Sequence, residues 1–312
     1  MRRTRTALPH LDEVSSATHN AESVQQNLGT RHVAIVVDSA ASLPPDTTGL
    51  YVVPMRLELG GRTYLDGVDL SPTDFYKMRR RSDRLPTTSA PSPAMFREAF
   101  EMAGSEASAV LCLTVAAKFS TSHESASAAA DELRAGGSPT EFLVLDTMSA
   151  AGGQGLIAME SLRAALRGDS LDQVAEVARD MIARVSLLAI VDTLYYLWKG
   201  GRVPRLAHAG ATLLSMKPIF ELAGGEVRTR ARPRTKRRAM PRLLDLIRER
   251  VGGRGIHAAI MHADAPEEAE ELRERVHLEL SCRESFVSEF TPVMGAHIGP
   301  GLLGVAYWAE DV

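Results

Sequence analysis

The chain has 312 residues, of which 45% are hydrophobic and 24% are charged, and its formal net charge is -3. This composition is ordinary for a globular protein, and the length allows two domains. The slightly acidic balance argues against a protein that coats nucleic acid over its whole surface.

The first half of the chain alternates between apolar runs and amphipathic stretches. Residues 1–30 are polar and without clear periodicity, so we interpret them as an extension outside the folded body. Residues 32–39 form an apolar run that ends in Asp38-Ser39, which is typical of a buried parallel strand. Further strands are predicted at 50–55, 61–67, 108–115 and 141–146, and helices at 71–81, 92–103 and 123–135, with another helix that begins at 152–155 within the stretch 147–168. The alternation predicts an α/β domain over 31–168 with a mostly parallel sheet.

The second half, 169–312, continues as α/β but with a hairpin signal at Gly224-Gly225. Strands are predicted at 186–192, 217–222, 226–230, 256–262, 284–290 and 301–308, and helices at 170–184, 204–215, 236–250 and 266–278. We therefore predict a second α/β domain with a mixed sheet, and place the boundary between the two domains within 165–185.

Cysteine usage and hydropathy bear on location. Cys112 and Cys282 lie far apart in strand-like runs, which favours buried thiols in a reducing compartment. No apolar run reaches the roughly 18–20 residues that a membrane-spanning helix needs, and the N-terminus lacks the apolar core of a signal peptide. We therefore expect a cytoplasmic protein.

Two glycine-rich stretches are candidates for phosphate-binding loops. The stretch GGQG (152–155) opens a predicted helix, but it matches neither dinucleotide nor P-loop spacing, so close packing of that helix on the sheet is the favoured interpretation. The stretch GPGLLG (299–304) lacks the P-loop lysine. Neither supports ATP binding by this chain.

Two other functions remain as alternatives. Ser39, His297 and one of Asp38, Asp146 or Asp192 would make a hydrolase triad, although no GxSxG elbow accompanies them. The basic run 228–238 would suit an adaptor or a nucleic-acid or regulatory binding protein, although aromatic residues that stack on bases are missing from it.

Three further stretches carry candidate site residues. The segment PTTSAPSP (86–93) is rich in hydroxyl groups, and Lys199 and Arg202 flank a pair of glycines. His297 precedes Gly299-Pro300-Gly301, whose glycines permit the close approach of a ligand or of another backbone segment.

These motifs together resemble the DegV family, the bacterial fatty-acid-binding proteins that include the FakB subunits of fatty acid kinase. The matching stretches occur in the family's order over about 32–308. They are Asp38-Ser39, PTTSAPSP (86–93), KFSTSHESA (118–126), LDTMSAAGGQG (145–155), KGGRV (199–203), MKPIF (216–220), PRTKRRA (233–239) and HIGPG (297–301).

The resemblance implies two α/β domains with a lipid tunnel between them. A long-chain fatty acid would lie in this tunnel, and a separate ATP-dependent fatty acid kinase would phosphorylate its carboxyl group. The carrier would contribute no catalytic residue and would need no metal or cofactor beyond the bound fatty acid. Nucleic acid is not an expected partner.

Residue by residue, the resemblance assigns the carboxyl group to Thr87, Thr88, Ser120 and His297. Asp38, Ser39 and Ser89 are candidates for an additional part of the pocket, and Arg202 and Arg234 are candidates for docking the kinase.

The sequence departs from the family at one turn. The family's LSGT turn is FSTS here, so Thr121 stands at the glycine, and Ala116, Ala117 and His123 replace two serines and a tyrosine. Because residues other than glycine resist positive φ, we expect a reshaped turn around Ser120.

The free energy of burying an acyl tail and the hydrogen bonding of its carboxylate are compatible with a fatty acid ligand. A tail of roughly 15 methylenes carries about 12 kcal/mol of transfer free energy, and only a tunnel captures most of it. A buried carboxylate needs paired donors, which threonine and serine hydroxyls supply. From its ordinary pKa of about 6.5, we expect His297 to add a donor and to be partly cationic.

Overall fold

The computed structural model describes residues 31–44, 46–81, 84–202 and 216–311. The predicted extension 1–30 and the predicted helix 204–215 therefore lie outside the described residues. Among the described residues, no helix combines the length and the apolar character needed to cross a membrane.

The part of the first half that the structure describes forms seven strands and four α-helices. The strands are β1 (Arg31–Asp38), β2 (Leu50–Val53), β3 (Arg56–Leu59), β4 (Arg62–Leu65), β5 (Thr87–Ser89), β6 (Ala107–Thr114) and β7 (Glu141–Asp146). The helices are α1 (Pro72–Arg79), α2 (Pro93–Glu106), α3 (Ser122–Ala135) and α4 (Ala151–Leu166). The side chains of Ser71 and Ser92 cap α1 and α2 by accepting hydrogen bonds from Asp74 N and Met95 N, as their position before proline predicts.

The first sheet is entirely parallel, in the order β2-β1-β6-β7. Its central strands are apolar on both faces because α2 and α3 cover one face and α4 covers the other. The prediction of a parallel α/β arrangement in the first half is confirmed.

A small antiparallel sheet in the order β4-β3-β5 was not predicted. The hydroxyl-rich stretch that we interpreted as a loop supplies β5, where Thr88 pairs with Leu57 and Ser89 with Arg56. The alternation of side chains along a strand therefore decides which of these hydroxyls face inward.

The described residues of the second half form six strands and five α-helices. The strands are β8 (Ser186–Ile190), β9 (Ile219–Ala223), β10 (Glu226–Ala231), β11 (Ile256–His262), β12 (Cys282–Glu289) and β13 (Leu303–Ala309). The helices are α5 (Leu171–Arg184), α6 (Tyr195–Gly200), α7 (Lys236–Val251), α8 (Pro266–Glu279) and α9 (Pro292–Ile298).

The second sheet is mixed, in the order β10-β9-β8-β13-β11-β12. Only the pair β11–β12 is parallel, and β9 and β10 form the hairpin predicted at Gly224-Gly225. Helices α7 and α8 cover one face of this sheet. The predicted mixed sheet is confirmed, whereas α9 was not predicted.

Helix α4 packs between the two sheets and joins their cores. A Cβ on Gly152 would stand 2.7 Å from Met261 Sδ and 2.8 Å from Ala259 Cβ, and one on Gly155 would stand 3.0 Å from the carbonyl oxygen of Ala41. The glycines of GGQG therefore allow close packing, as the favoured interpretation predicted, because larger residues would push the sheets apart.

Candidate functional site

A cavity of about 610 Å³ lies between the carboxyl ends of the first sheet and one face of the second. Segments that follow β1, β6 and β7 supply one wall, which includes Ala40, Val115, Phe119, Ala150 and Ala151. Strands β8 and β9 supply the opposite wall, which includes Leu187, Ala189, Val191, Phe220 and Leu222. Most of the lining is therefore apolar, with a few polar groups.

Thr88 and His297 form the polar centre of this cavity. Thr88 Oγ1 lies 2.7 Å from Nε2 of His297, and both residues line the cavity. They are 209 positions apart in the chain, and they meet because β5 and the short helix α9 pack together. The structure thus brings together two of the four residues that the family resemblance assigns to the carboxyl group.

His297 is neutral in this environment. Burial and, to a smaller extent, the positive charge of Arg202 lower its pKa from 6.5 to about 4. This differs from the expectation of a partly cationic histidine. A neutral imidazole ring has one N–H donor and one acceptor nitrogen. Thr88 and His297 can therefore form hydrogen bonds with a bound polar group without placing a positive charge next to it.

A buried carboxylate anchors the helix that carries His297. Asp66 Oδ1 accepts a hydrogen bond from Val293 N at 3.0 Å, and its Oδ2 accepts one from Ser39 Oγ at 2.6 Å. Ser39 in turn accepts a hydrogen bond from Met55 N at 3.0 Å. Burial raises the pKa of Asp66 to about 6, and nearby Asp38 adds to this rise. Asp66 was missed in the sequence, where only its place near the end of the predicted strand 61–67 distinguished it.

Two glycines explain the close packing around His297. A Cβ on Gly200 would lie 2.8 Å from His297 Nδ1, and a Cβ on Gly299 would collide with the ring of Tyr196. Gly200 belongs to α6, whose residue Leu197 lines the cavity. The glycines of the KGGR motif (199–202) therefore allow α6 to pack closely against α9. The sequence of the motif did not indicate this contact.

Arg202 stands beside this contact. Its guanidinium donates a hydrogen bond to the carbonyl oxygen of Gly200 at 2.8 Å, and the residue is exposed while lining the cavity. Arg202 is therefore accessible from solvent at the same end as His297.

Ser120 also lines the cavity, in the turn between β6 and α3. Its Oγ lies 2.9 Å from Ser122 Oγ and accepts a hydrogen bond from Ser122 N at 3.2 Å. Thr121, which stands at the family's glycine, has φ of −83°. The turn therefore avoids the left-handed conformation and is fixed by the two serines.

The other two residues of β5, Thr87 and Ser89, share the face of the strand that is opposite Thr88. Thr87 is exposed, its hydroxyl lies 3.5 Å from Glu58, and the structure does not bring it to the cavity. Ser89, the last residue of the strand, lines the cavity.

Asp38 and Ser39 lie beneath the cavity and do not line it. Asp38 is fully buried and accepts hydrogen bonds from Val115 N at 2.9 Å and from Gln154 Nε2 at 3.0 Å. Burial raises the pKa of Asp38. Both residues instead hold the loops that carry the cavity residues.

The alternative of a hydrolase triad is not assembled. Ser39 is bonded to Asp66, while Nε2 of His297 is engaged by Thr88. Asp146 accepts a hydrogen bond from Met148 N, and Asp192 pairs with Lys217 at 2.7 Å. Within the described ranges, no cluster of three or more His, Cys, Asp or Glu side chains has the arrangement of a metal site.

The basic run divides between the edge strand β10 and the start of α7. Arg230 pairs with the buried Glu221 at 3.0 Å, and Lys236 pairs with Glu268 at 2.7 Å. Arg234 is exposed, next to Pro233, whose carbonyl oxygen accepts a hydrogen bond from Lys217 N at 2.8 Å. Because Lys217 binds Asp192 just beyond β8, Arg234 lies at the end of the sheet that is nearer His297.

Comparison with known proteins places these features in context. The model of the DegV family, described as uncharacterised proteins, matches residues 32–310. A DegV domain-containing protein of Streptomyces coelicolor is 34% identical over 281 residues, which cover 88% of this chain and 98% of that protein.

Solved structures agree with this match. A DegV family protein from Thermus thermophilus, described for its fatty acid binding, superposes with a TM-score of 0.82 at 30% identity and covers 89% of this chain and 100% of its own. The fatty acid kinase (Fak) B3 protein of Streptococcus pneumoniae, loaded with linoleic acid, has a TM-score of 0.79 and covers 89% of this chain and 99% of its own. At 18% identity, the latter likeness concerns the fold alone.

Proposed function

Because the chain belongs to the DegV family, we propose that it binds a long-chain fatty acid in the cavity between its two sheets. The observation that carries this proposal is an apolar cavity of about 610 Å³ with the Thr88–His297 pair on its wall. Ligand sites in proteins are typically apolar cavities of about 300–1,000 Å³ with a few well-placed polar groups.

The apolar walls supply most of the binding free energy. Each buried methylene contributes about 0.8 kcal/mol, so a long tail offsets the cost of ordering a flexible chain. Small side chains such as Ala40, Ala150, Ala151 and Ala189 line the cavity and leave its volume open. A short or strongly polar ligand would gain little from these walls.

The head group would lie beside Thr88 and His297. A neutral histidine and the hydroxyls of Thr88, Ser89 and Ser120 offer hydrogen bonds without a fixed charge. Such a site holds a carboxyl group while leaving one of its oxygens free to react. A buried arginine would grip the carboxylate harder and mask that oxygen.

Extraction of the purified protein and mass spectrometry of the extract test the proposal directly. We expect a co-purified long-chain fatty acid, and uptake of palmitate or oleate by the delipidated protein. Thr88→Ala should weaken fatty acid binding roughly fivefold to tenfold, because one hydrogen bond to the head group is lost. The exposed neighbour Thr87→Ala serves as the matched control and should bind as the wild type does. A protein that carries and takes up no acyl chain would refute the proposal.

We further propose that the bound carboxyl group is presented to a separate ATP-dependent fatty acid kinase, and that this chain contributes no catalysis. Exposed Arg202 and Arg234 lie at the end of the molecule nearer His297, where such a partner would have to dock. In an assay with a fatty acid kinase subunit and ATP, Arg234→Glu should lower acyl phosphate formation while fatty acid affinity stays unchanged. Equal acyl phosphate formation by both proteins would remove Arg234 from the docking surface.

A further inference from the structure

The pairing of the strands gives the cavity a direction. At one end, where β8 ends and β13 begins, the cavity is lined by Val191 and Leu302. At this same end, Gly200 of α6 packs against His297 of α9. At the other end, Leu187 pairs with Leu222, and Leu222 pairs with Val227 of β10. All three of these residues line the cavity. The tail of a ligand whose head group lies at His297 would therefore point toward the β9–β10 hairpin.

Contacts between the two halves of the chain lie at this far end, and we call these residues the hairpin clasp (Lys118, Met148, Gly225 and Glu226). Gly225 N donates a hydrogen bond to the carbonyl oxygen of Met148 at 2.8 Å, and Lys118 Nζ pairs with the carboxylate of Glu226. Lys118 itself lines the cavity. Five residues along the sheet separate Val191 from the position that is level with Glu226. At about 3.3 Å per residue, the clasp lies roughly 16 Å from the head-group end.

The clasp is weak compared with the attraction of the cavity for a tail. The side chains of Lys118 and Glu226 are 59% and 40% exposed, and an exposed ion pair changes an equilibrium by about fivefold at most. Each additional buried methylene changes a dissociation constant by about fourfold. One or two methylenes are therefore comparable with the whole ion pair.

We propose that the hairpin clasp sets the longest acyl chain that binds with full affinity, because a tail that passes Val227 has to separate Lys118 from Glu226. This rests on the proposed binding of fatty acids. Chains that end before Val227 leave the clasp closed and gain affinity with every methylene. Longer chains gain less, since opening the clasp offsets the burial of the added methylenes.

The test is a series of saturated fatty acids of increasing length, titrated into the delipidated wild type and variants. In the wild type, the dissociation constant should fall about fourfold per methylene and then level off. In Glu226→Ala, the levelling should move to chains one or two methylenes longer, with up to about fivefold tighter binding of the first chain beyond the wild-type limit. Shorter chains should bind equally well to both proteins.

Two controls sharpen the result. The exchanged pair Lys118→Glu/Glu226→Lys should restore the wild-type limit, because it restores the ion pair. Arg97→Ala breaks an exposed pair with Glu132 elsewhere in the first half and should leave the length profile unchanged. A second measurement locates the tail: a fatty acid with a diazirine at its methyl end should label the peptide containing Lys118 or that containing Val227.

Several outcomes would overturn the inference. These are an unchanged length limit in Glu226→Ala, an equal change of affinity at every chain length, and labelling near Thr88 or His297 instead of at the clasp. If no fatty acid of any length binds the wild type, the proposed function itself fails. A length limit that does not respond to the clasp leaves the proposed function standing and refutes only this inference.

Discussion

At the scale of residues, two buried titratable groups lie at α9, and burial shifts their pKa values in opposite directions. Burial holds His297 neutral, with a pKa of about 4, and holds Asp66 partly protonated near pH 6. A raised carboxyl pKa makes folding bind a proton, whereas a lowered histidine pKa makes it release one. Between about pH 4 and 6 the two groups therefore change the free energy of unfolding in opposite directions.

Asp66→Asn separates these two effects. Because the pKa of Asp66 rises on folding, its contribution to stability is fully present below about pH 4 and is lost as the pH rises to about 6. The wild type should lose about 2–3 kcal/mol relative to Asp66→Asn over that interval. Urea unfolding of both ligand-free proteins at several pH values measures the difference, and a difference that stays constant with pH would contradict the assignment.

The sequence identified some of these residues and missed others. Thr88 and His297 were found because each lies in a family motif, and the structure places them 2.7 Å apart. Asp66 and Gly200 act through contacts with residues more than 90 positions away, at Val293 and His297. Such contacts leave no local pattern, so sequence reasoning had no signal for them. That Thr88 faces the cavity and Thr87 faces solvent could be inferred only after the structure showed that β5 is a strand.

At the scale of elements, the short helices α6 and α9 determine the shape of the head-group end. Helix α9 was not predicted, because seven residues are too few for a clear helical period. The longer elements, such as α5 with its capping box at Ser170, were predicted almost to their ends.

Gly200→Ala tests the contact between these helices. The new Cβ would stand 2.8 Å from His297 Nδ1, so the imidazole would have to move away from Thr88. We expect fatty acid affinity to fall about tenfold, with a circular dichroism spectrum like that of the wild type. Gly136→Ala at the end of α3, where the nearest atom would be 3.4 Å away, is the matched control. Unchanged affinity in Gly200→Ala would show that the ring position is not critical.

At the scale of the whole molecule, the parallel first sheet and the mixed second sheet were both predicted, because β-α alternation and the hairpin signal are properties of long segments. Their relative placement was not derivable from periodicity. It depends on α4, which is buried on nearly every side and packs against both sheets. The domain boundary at 168–169 stays a prediction, since the apolar core runs through α4 and α5 into both halves.

Gly152→Val tests how tightly α4 holds the halves together. Its side chain would overlap Met261 and Ala259 in the second sheet, and overpacking of this kind costs about 1–3 kcal/mol. We expect a lower free energy of unfolding in urea with a similar dependence on denaturant. The variant Gly136→Ala again serves as the control. A wild-type stability in Gly152→Val would mean that the sheets adjust easily.

The position of α4 also restricts how a ligand enters and leaves. Proteins that close around ligands by hinge bending keep few contacts across the cleft, so their lobes swing apart as rigid bodies. Here a shared helix with its glycines pressed against Met261 and Ala259 rules out such a clamshell motion, because it would open a void in the core. Exchange of the ligand must therefore proceed by local displacement of peripheral segments, at a rate that depends on those segments and not on the stability of either sheet.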